Sequence, residues 1–274
     1  MRKALLLGSL VLATACGGGT PSSTTPAGID TKSAPAGAAP RIVKVTPSDA
    51  SKAIVDAPDR DEADKKLDAG RHPAEMLTFF DVKPGEKVAD LAAGGGYTTE
   101  LLARAVGPSG VVYSQNSQWI VDRFANAPWT ARLGKPVNKN VVKVVRDFED
   151  PLPPEAKDLD LVIDVLFYHD TVWLKTDRAK MNAAVFRALK PGGIYAIIDH
   201  SGRPGTGHGE TDTLHRIEES VVRKEVLAAG FTLPEEADFM RNPADARDWN
   251  ASPMQAGEKR GTSDRFVLKF VKPK

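Results

Sequence analysis

Cysteine is almost absent: Cys16 is the single one in 274 residues. No disulfide can form within one chain, so the fold must be held together by its apolar core. An excess of one charge is also missing, with 37 Lys and Arg against 36 Asp and Glu. No block of basic residues stands out, so nucleic acid, whose phosphates demand clustered lysine and arginine, is not expected as a partner. Long hydrophobic runs are lacking too. The apolar stretch from Ala4 to Ala13 is too short to cross a bilayer as a helix. Two catalytic signatures are absent as well. Without a Gly-x-Ser-x-Gly elbow there is no support for a hydrolase of that kind. Without Gly-Lys-Ser or Gly-Lys-Thr after a glycine turn there is no phosphate loop.

What is present begins with Met1-Arg2-Lys3, the apolar stretch, and then Thr14-Ala15-Cys16. A basic start, a short apolar run and small residues before a cut describe a secretory signal. Ala13-Thr14-Ala15-Cys16 resembles a bacterial lipobox, with Ala13 where leucine is usual and Leu12 one place earlier. That resemblance implies an acylated Cys16, a lipid anchor in a membrane and a periplasmic location. Gly17 is not the aspartate associated with retention at the inner membrane, so the outer membrane is favoured. An ordinary cleaved signal with an unrelated cysteine is the alternative. Residues 17–40 are rich in Gly, Ser, Thr, Pro and Ala and poor in large apolar side chains, the composition of a flexible tether. Residues 41–274 suffice for one globular domain with a substantial core.

Within that domain short apolar runs alternate with amphipathic stretches, the pattern of a parallel sheet covered by helices. Strands are expected at Val88–Ala92, Gly110–Ser114, Val141–Val145, Leu159–Leu166 and Ile194–Ile198. Two more, Thr232–Phe239 and Arg265–Val271, follow each other without a long crossover and so are expected to pair antiparallel. Helices are expected at Thr98–Val106, Arg178–Leu189 and Glu218–Ala229, with Gly107 and Gly230 ending the first and last. Ala53–Phe80 reads as mostly helical, broken at Pro58, with the piece Ala74–Phe80 covering an edge of the sheet. Asn242–Ser263 reads as a long loop.

The strongest local signal is Val88-Ala89-Asp90-Leu91-Ala92-Ala93-Gly94-Gly95-Gly96-Tyr97. A strand ending near an acid and opening through glycines into a helix lets backbone approach a ligand and offers it the N–H groups of the helix start. A dinucleotide site would want a third glycine near Thr99 and an acid ending the second strand, where Ser114-Gln115-Asn116 stands instead. The stretch resembles the first motif of class I S-adenosylmethionine-dependent methyltransferases, with Asp90, Ala92, Gly94 and Gly96 at its four positions and Ala92 where glycine is usual. The resemblance continues through Gln115 and Asn116, placed where relatives hold the ribose hydroxyls. It then runs through Asp147 and Phe148, placed against adenine, and the run Asp160–Asp170 with Asp164, Phe167, Tyr168 and His169. It implies a Rossmann-like α/β fold with a mostly parallel seven-stranded sheet, helices on both faces and an antiparallel last strand. It also implies S-adenosylmethionine as cofactor, bound by Asp90, Ala92, Gly94, Gly96, Gln115, Asn116, Asp147, Phe148 and Asp164, with Asp164, Phe167, Tyr168 and His169 facing the methyl group or substrate. Leu189-Lys190-Pro191-Gly192-Gly193 resembles the helix-to-strand turn of the family. The fourth-strand motif is not Asn-Pro-Pro-Tyr, so that nitrogen-methylating subclass is not expected.

Asp199-His200 closes the fifth strand, and the run through His215-Arg216-Ile217 resembles a bacterial group of exported predicted methyltransferases. His200 is the first candidate for accepting a proton from a hydroxyl or thiol acceptor, followed by His215 and His169, with Asp199 beside them. Asp199, His200, His208 and His215 match no short metal-ligand spacing, so no metal is expected. The function implied is methyl transfer to a small molecule. A non-catalytic envelope binding protein that kept the fold is the alternative, because S-adenosylmethionine is made in the cytoplasm.

Overall fold

The computed structural model describes residues 39–274. The expected signal, Cys16 and all but the end of the tether lie outside the described residues. Eight strands form one sheet: β1 (Arg41–Val43), β2 (Lys87–Leu91), β3 (Val111–Asn116), β4 (Val141–Val145), β5 (Leu159–Val165), β6 (Leu189–His200), β7 (Thr232–Ala237) and β8 (Arg265–Val271). Their order across the sheet is β1-β7-β8-β6-β5-β2-β3-β4. All pairs are parallel except those of β8, which runs antiparallel to both β6 and β7. The expected count of seven is therefore one too low. The extra strand, β1, is three residues long, too short for any alternation to register in sequence, and is held by parallel pairing to Glu235–Ala237.

Alternation along the central strands explains why both faces are covered. Ala89, Leu91, Val162, Tyr195, Ile197 and Phe266 face one apolar layer. Val88, Leu161, Ile163, Ala196, Ile198 and Val267 face the other. Because successive side chains point to opposite faces, a run apolar at every position needs helices on both. Trp129, Met181, Val185, Val222 and Val226 from the helices Asn126–Leu133, Arg178–Ala188 and Glu219–Ala228 complete the first layer. The helices Pro73–Phe79 and Tyr97–Val106 complete the second with Met76, Leu77, Phe79, Leu101, Leu102 and Val106. The segment expected to guard an edge thus lies on a face, since its stripe of four buried residues matches the strands below.

One expected turn is part of a strand. Leu189 pairs with Leu159 and Ile194 pairs with Leu161, so Lys190–Gly193 bulges out opposite Asp160 alone. Hydrogen bonds to the last strand's extension, Gly192 N–H to the Lys272 carbonyl (2.8 Å) and Lys272 N–H to the Gly193 carbonyl (2.9 Å), keep the bulge in the sheet. A Cβ on Gly193 would stand 2.8 Å from the Leu159 carbonyl oxygen and 2.9 Å from that of Lys190. Neither backbone atom can step aside. Gly193→Ala is expected to cost about 1–3 kcal/mol of stability, as overpacking does, measured as a lower urea midpoint with unchanged slope. No change in midpoint would contradict the close approach.

Candidate functional site

Strand order reverses between β2 and β5: from β2 the chain proceeds outward to β3 and β4, then returns to β5 and builds the other half. Ligands of open α/β sheets bind beyond the carboxyl ends of the strands at such a reversal. The glycine bend lies there, directly after β2. Ala92, Gly94 and Gly96 have φ of +49°, +55° and +82°. Left-handed backbone at Ala92 is the physical reason glycine is favoured at that position. A Cβ on Gly94 would meet nothing closer than the Ala92 carbonyl at 4.0 Å, so the bend is open on that side. The helix Tyr97–Val106 begins at Gly96 with no side-chain cap.

The bend is held from beneath by the end of β3. Gln115 Oε1 accepts from Ala92 N–H (3.0 Å) and Gln115 Nε2 donates to the Arg146 carbonyl (2.7 Å). Asn116 Oδ1 accepts from Gly94 N–H (2.8 Å) and its Nδ2 donates to the Gly94 carbonyl (3.1 Å). Both carboxamides are fully buried. The structure thus places Gln115 and Asn116 as supports of the bend, where ribose contacts had been expected, and the peptide N–H groups of Ala92 and Gly94 are engaged rather than bare. Arg132 adds a third support, donating Nε to the Gly95 carbonyl (2.6 Å) while pairing with Asp64 and Glu100.

Asp90 is buried with one oxygen accepting from the Thr99 hydroxyl (2.6 Å), which also meets Ser114 Oγ (2.8 Å). Burial drives its pKa up to about 7, against the opposing Thr99 hydrogen bond. It braces the bend from inside. Asp164, paired in register with Leu91, is buried, and its Oδ1 has no hydrogen-bond partner. Burial, then the Asp199 charge, raises its pKa well above the carboxylate range. Asp147, just past β4, is exposed. Phe148 is buried and stacks on Phe167 with ring centres 4.7 Å apart, so it serves the core.

The histidines separate into two groups. His200 is buried, its Nδ1 2.7 Å from Ser263 Oγ, and burial together with the Arg265 charge depresses its pKa well below the usual value. Enclosed and weakened in basicity, this imidazole is a poor first choice for a base that must reach a substrate. His169 and His215 instead meet at the carboxyl edge of β5 and β6. His169 Nδ1 lies 2.7 Å from Asp199 Oδ1, while Asp199 Oδ2 accepts from His169 N–H (2.7 Å) and Oδ1 from His200 N–H (2.8 Å). On its other side His169 Nε2 faces His215 Nδ1 (3.3 Å) and Asp170 Oδ1 (3.1 Å), and His215 Nδ1 is 3.1 Å from the same Asp170 oxygen. Burial alone would lower the His169 pKa, yet the Asp199 and Asp170 carboxylates raise it to about 10. His208 is exposed and outside this group.

Asp170 was not among the residues singled out from sequence, although it adjoins His169, because its partner His215 lies 45 positions later. Arg216 was missed as well. It is fully buried, pairs with Asp245 (2.9 Å), donates to the Ser201 and Trp249 carbonyls, and lies 4.7 Å from the Trp249 ring centre. It pins the 242–263 loop against the end of β6 and so positions neighbouring His215. An arginine beside a histidine in a polar stretch gives no sequence signal of this.

Strand order, reversal point and glycine bend together define the Rossmann-like class I methyltransferase fold. A SAM-dependent methyltransferase from Aquifex aeolicus superimposes with a TM-score of 0.53 at 20% identity, covering 82% of this chain and 98% of that one. The model of the protein-L-isoaspartate(D-aspartate) O-methyltransferase family matches residues 38–133, which include the bend. A protein-L-isoaspartate O-methyltransferase of Aeropyrum pernix is 42% identical over 84 residues, 30% of each chain. A ubiquinone/menaquinone biosynthesis C-methyltransferase of Ectopseudomonas mendocina is 34% identical over 125 residues, 45% of each chain. The chain therefore spans between about a third and a half of the length of these curated relatives.

The pKa of Asp90 makes a stability prediction. Its folded value of about 7 lies above the ordinary 3.8, so between these the folded chain keeps a proton the unfolded chain has lost. Stability from this group is present below the ordinary value and declines as pH rises through the folded one. Asp90→Asn removes the decline and keeps an oxygen for Thr99. Its stability advantage over wild type should grow by about 1.4 kcal/mol per pH unit within that window. Urea titrations at several pH values with parallel trends for the two proteins would refute it.

Proposed function

We propose that this chain is an S-adenosylmethionine-dependent methyltransferase acting on a small-molecule acceptor. One observation carries the proposal: at the strand-order reversal, an open glycine bend sits beside a buried carboxyl, Asp164, whose Oδ1 lacks a partner. An unsatisfied buried carboxyl is costly unless a ligand donor or cation meets it, and S-adenosylmethionine carries both a sulfonium and an ammonium group. The match of the bend-bearing segment to a methyltransferase family model supports the same reading. The relatives are named for different acceptors, protein isoaspartate in one and a quinone pathway in the other, so they share the reaction class and not the acceptor.

The residues present fit this cofactor. Gly94 lets ligand atoms approach backbone that a side chain would shield, and the uncapped start of Tyr97–Val106 favours a carboxylate through its partial positive charge. Asp164 would take the cationic part and the exposed Asp147 would lie toward the base. Gln115 and Asn116 contribute by fixing the bend. When bound, the cofactor supplies an electrophilic methyl group on sulfur. The protein's part is to align an acceptor with it and exclude water. His169, His215, Asp170 and Asp199 stand at the same sheet edge to orient the acceptor and manage its proton, His215 being the histidine of this group with appreciable exposure, 21% of its side chain. Trp119, Trp173 and the exposed Phe124 lie beside them, with Trp119 and Trp173 ring centres 5.5 Å apart and Trp173 6.5 Å from His215, suiting an acceptor with an apolar body. The non-catalytic reading has no observation in its favour.

Calorimetry on the purified full-length chain should give one binding event with S-adenosylmethionine and with its demethylated product. Asp164→Asn should weaken it at least tenfold and Gly94→Val should abolish it. Absence of heat with either compound would end the proposal. The anchor at Cys16 belongs to the same proposal, supported by the lipobox-like Ala13–Cys16. Metabolic labelling with radioactive palmitate should mark the chain, and Cys16→Ser should leave it unlabelled.

A further inference from the structure

We infer that His169, Asp170 and His215 form a binding site for one divalent transition-metal ion, with His169 Nε2, Asp170 Oδ1 and His215 Nδ1 as its three protein ligands. These atoms form a nearly equilateral triangle with sides of 3.1, 3.1 and 3.3 Å. Ligands held at about 2.1 Å from an ion lie about 3.0 Å apart at octahedral and about 3.4 Å apart at tetrahedral angles, and the observed sides fall between these. Two imidazoles and one carboxylate on one face leave the remaining positions open, the donor set that suits iron(II) or zinc. The three residues come from two distant segments, one following β5 and one preceding Glu219–Ala228, so the spacing is a tertiary property that sequence conceals.

The surroundings of His169 add an independent argument. Asp199 accepts two backbone N–H bonds and also receives His169 Nδ1, so that nitrogen carries its proton. A carboxylate behind a ligating histidine fixes the tautomer and turns the other nitrogen's lone pair outward, as in carboxylate–histidine–metal arrangements. Here that outward nitrogen, Nε2, points at a carboxylate oxygen and a second imidazole nitrogen. Asp170 is further fixed by Trp173 Nε1 (2.7 Å). With no ion present, the proton that His169 carries toward Asp170 joins these groups; a metal ion would take that proton's place. A cation satisfies all three at once, and its uptake is independent of whether the chain transfers methyl groups.

Cobalt(II) is the probe, because its visible absorption reports ligand number and its affinity is read directly. The full-length chain, stripped by a chelator, should take up one Co2+ per chain with visible bands, and Zn2+ should displace it. His169 is enclosed, so the ligand variants are placed at the two partly exposed positions. His215→Ala and Asp170→Ala should each bind at least tenfold more weakly, whereas His208→Ala, an exposed histidine outside the cluster, should bind as wild type does. Zn2+ should also raise the melting temperature of wild type and His208→Ala and leave that of the two ligand variants unmoved. A wild-type chain with no visible bands, or ligand variants that bind as tightly as wild type, overturns the site. Should both variants fail to fold, the Co2+ spectrum and the zinc-dependent melting temperature of wild type alone decide the matter.

Discussion

Two carboxamides hold the functional edge of this protein in shape. Without Gln115 and Asn116, the peptide groups of Ala92 and Gly94 would be left in a half-buried bend with left-handed backbone and nothing to offset the strain. With them, the chain can leave β2, turn sharply and enter the helix Tyr97–Val106 in the orientation that buries nine of its ten residues. The position of that helix then dictates where Glu100 stands. Arg104, Arg132 and Lys135 gather on its carboxylate and tie in the N-terminal helices through Asp59, Asp61 and Asp64. An acid at the end of β3 could bind a ligand hydroxyl more strongly, but could not donate to the Gly94 carbonyl.

The second organising feature is a concentration of buried charge at the ends of β5 and β6. Asp164, Asp199, His169 and Asp170 lie within one another's field, so that burial and mutual repulsion raise the pKa of Asp164 while the two neighbouring carboxylates raise that of His169. Such a cluster contributes little to stability compared with a hydrophobic replacement. Groups with strongly shifted pKa values clustered in this way are the kind of arrangement that functional sites use. Arg216 and Asp245 make a separate buried pair whose work is mechanical, fastening the 242–263 loop so that His215 has a fixed place opposite Asp170.

The methyl-transfer reading and the metal reading occupy adjacent parts of this edge. The bend and Asp164 face the reversal between β2 and β5, while His169, Asp170 and His215 sit one strand further along. The aromatic rings of Trp119 and Trp173 border the histidine cluster.

Strands and helices were legible where a run was long and its period clear. β4 and β8 occur at the expected residues, β5 and the helix Tyr97–Val106 differ by one residue at one end, and β2 is shifted by one residue at both ends. These depend on local alternation and on Gly107, which the sequence carries in plain view. The motif after β2 was legible for the same reason: glycine marks backbone that no other residue adopts cheaply. What the sequence could not disclose was the fate of polar side chains. Gln115 and Asn116 turned inward to the bend, His200 was enclosed by Ser263 and Arg265, and Asp170 met a histidine from a remote segment. Sequence by itself determined the order of elements, because each is encoded by neighbours a few residues apart. Only the tertiary structure decided which polar groups face a ligand and which satisfy the protein, because that depends on hydrogen-bond partners brought together from distant parts of the chain.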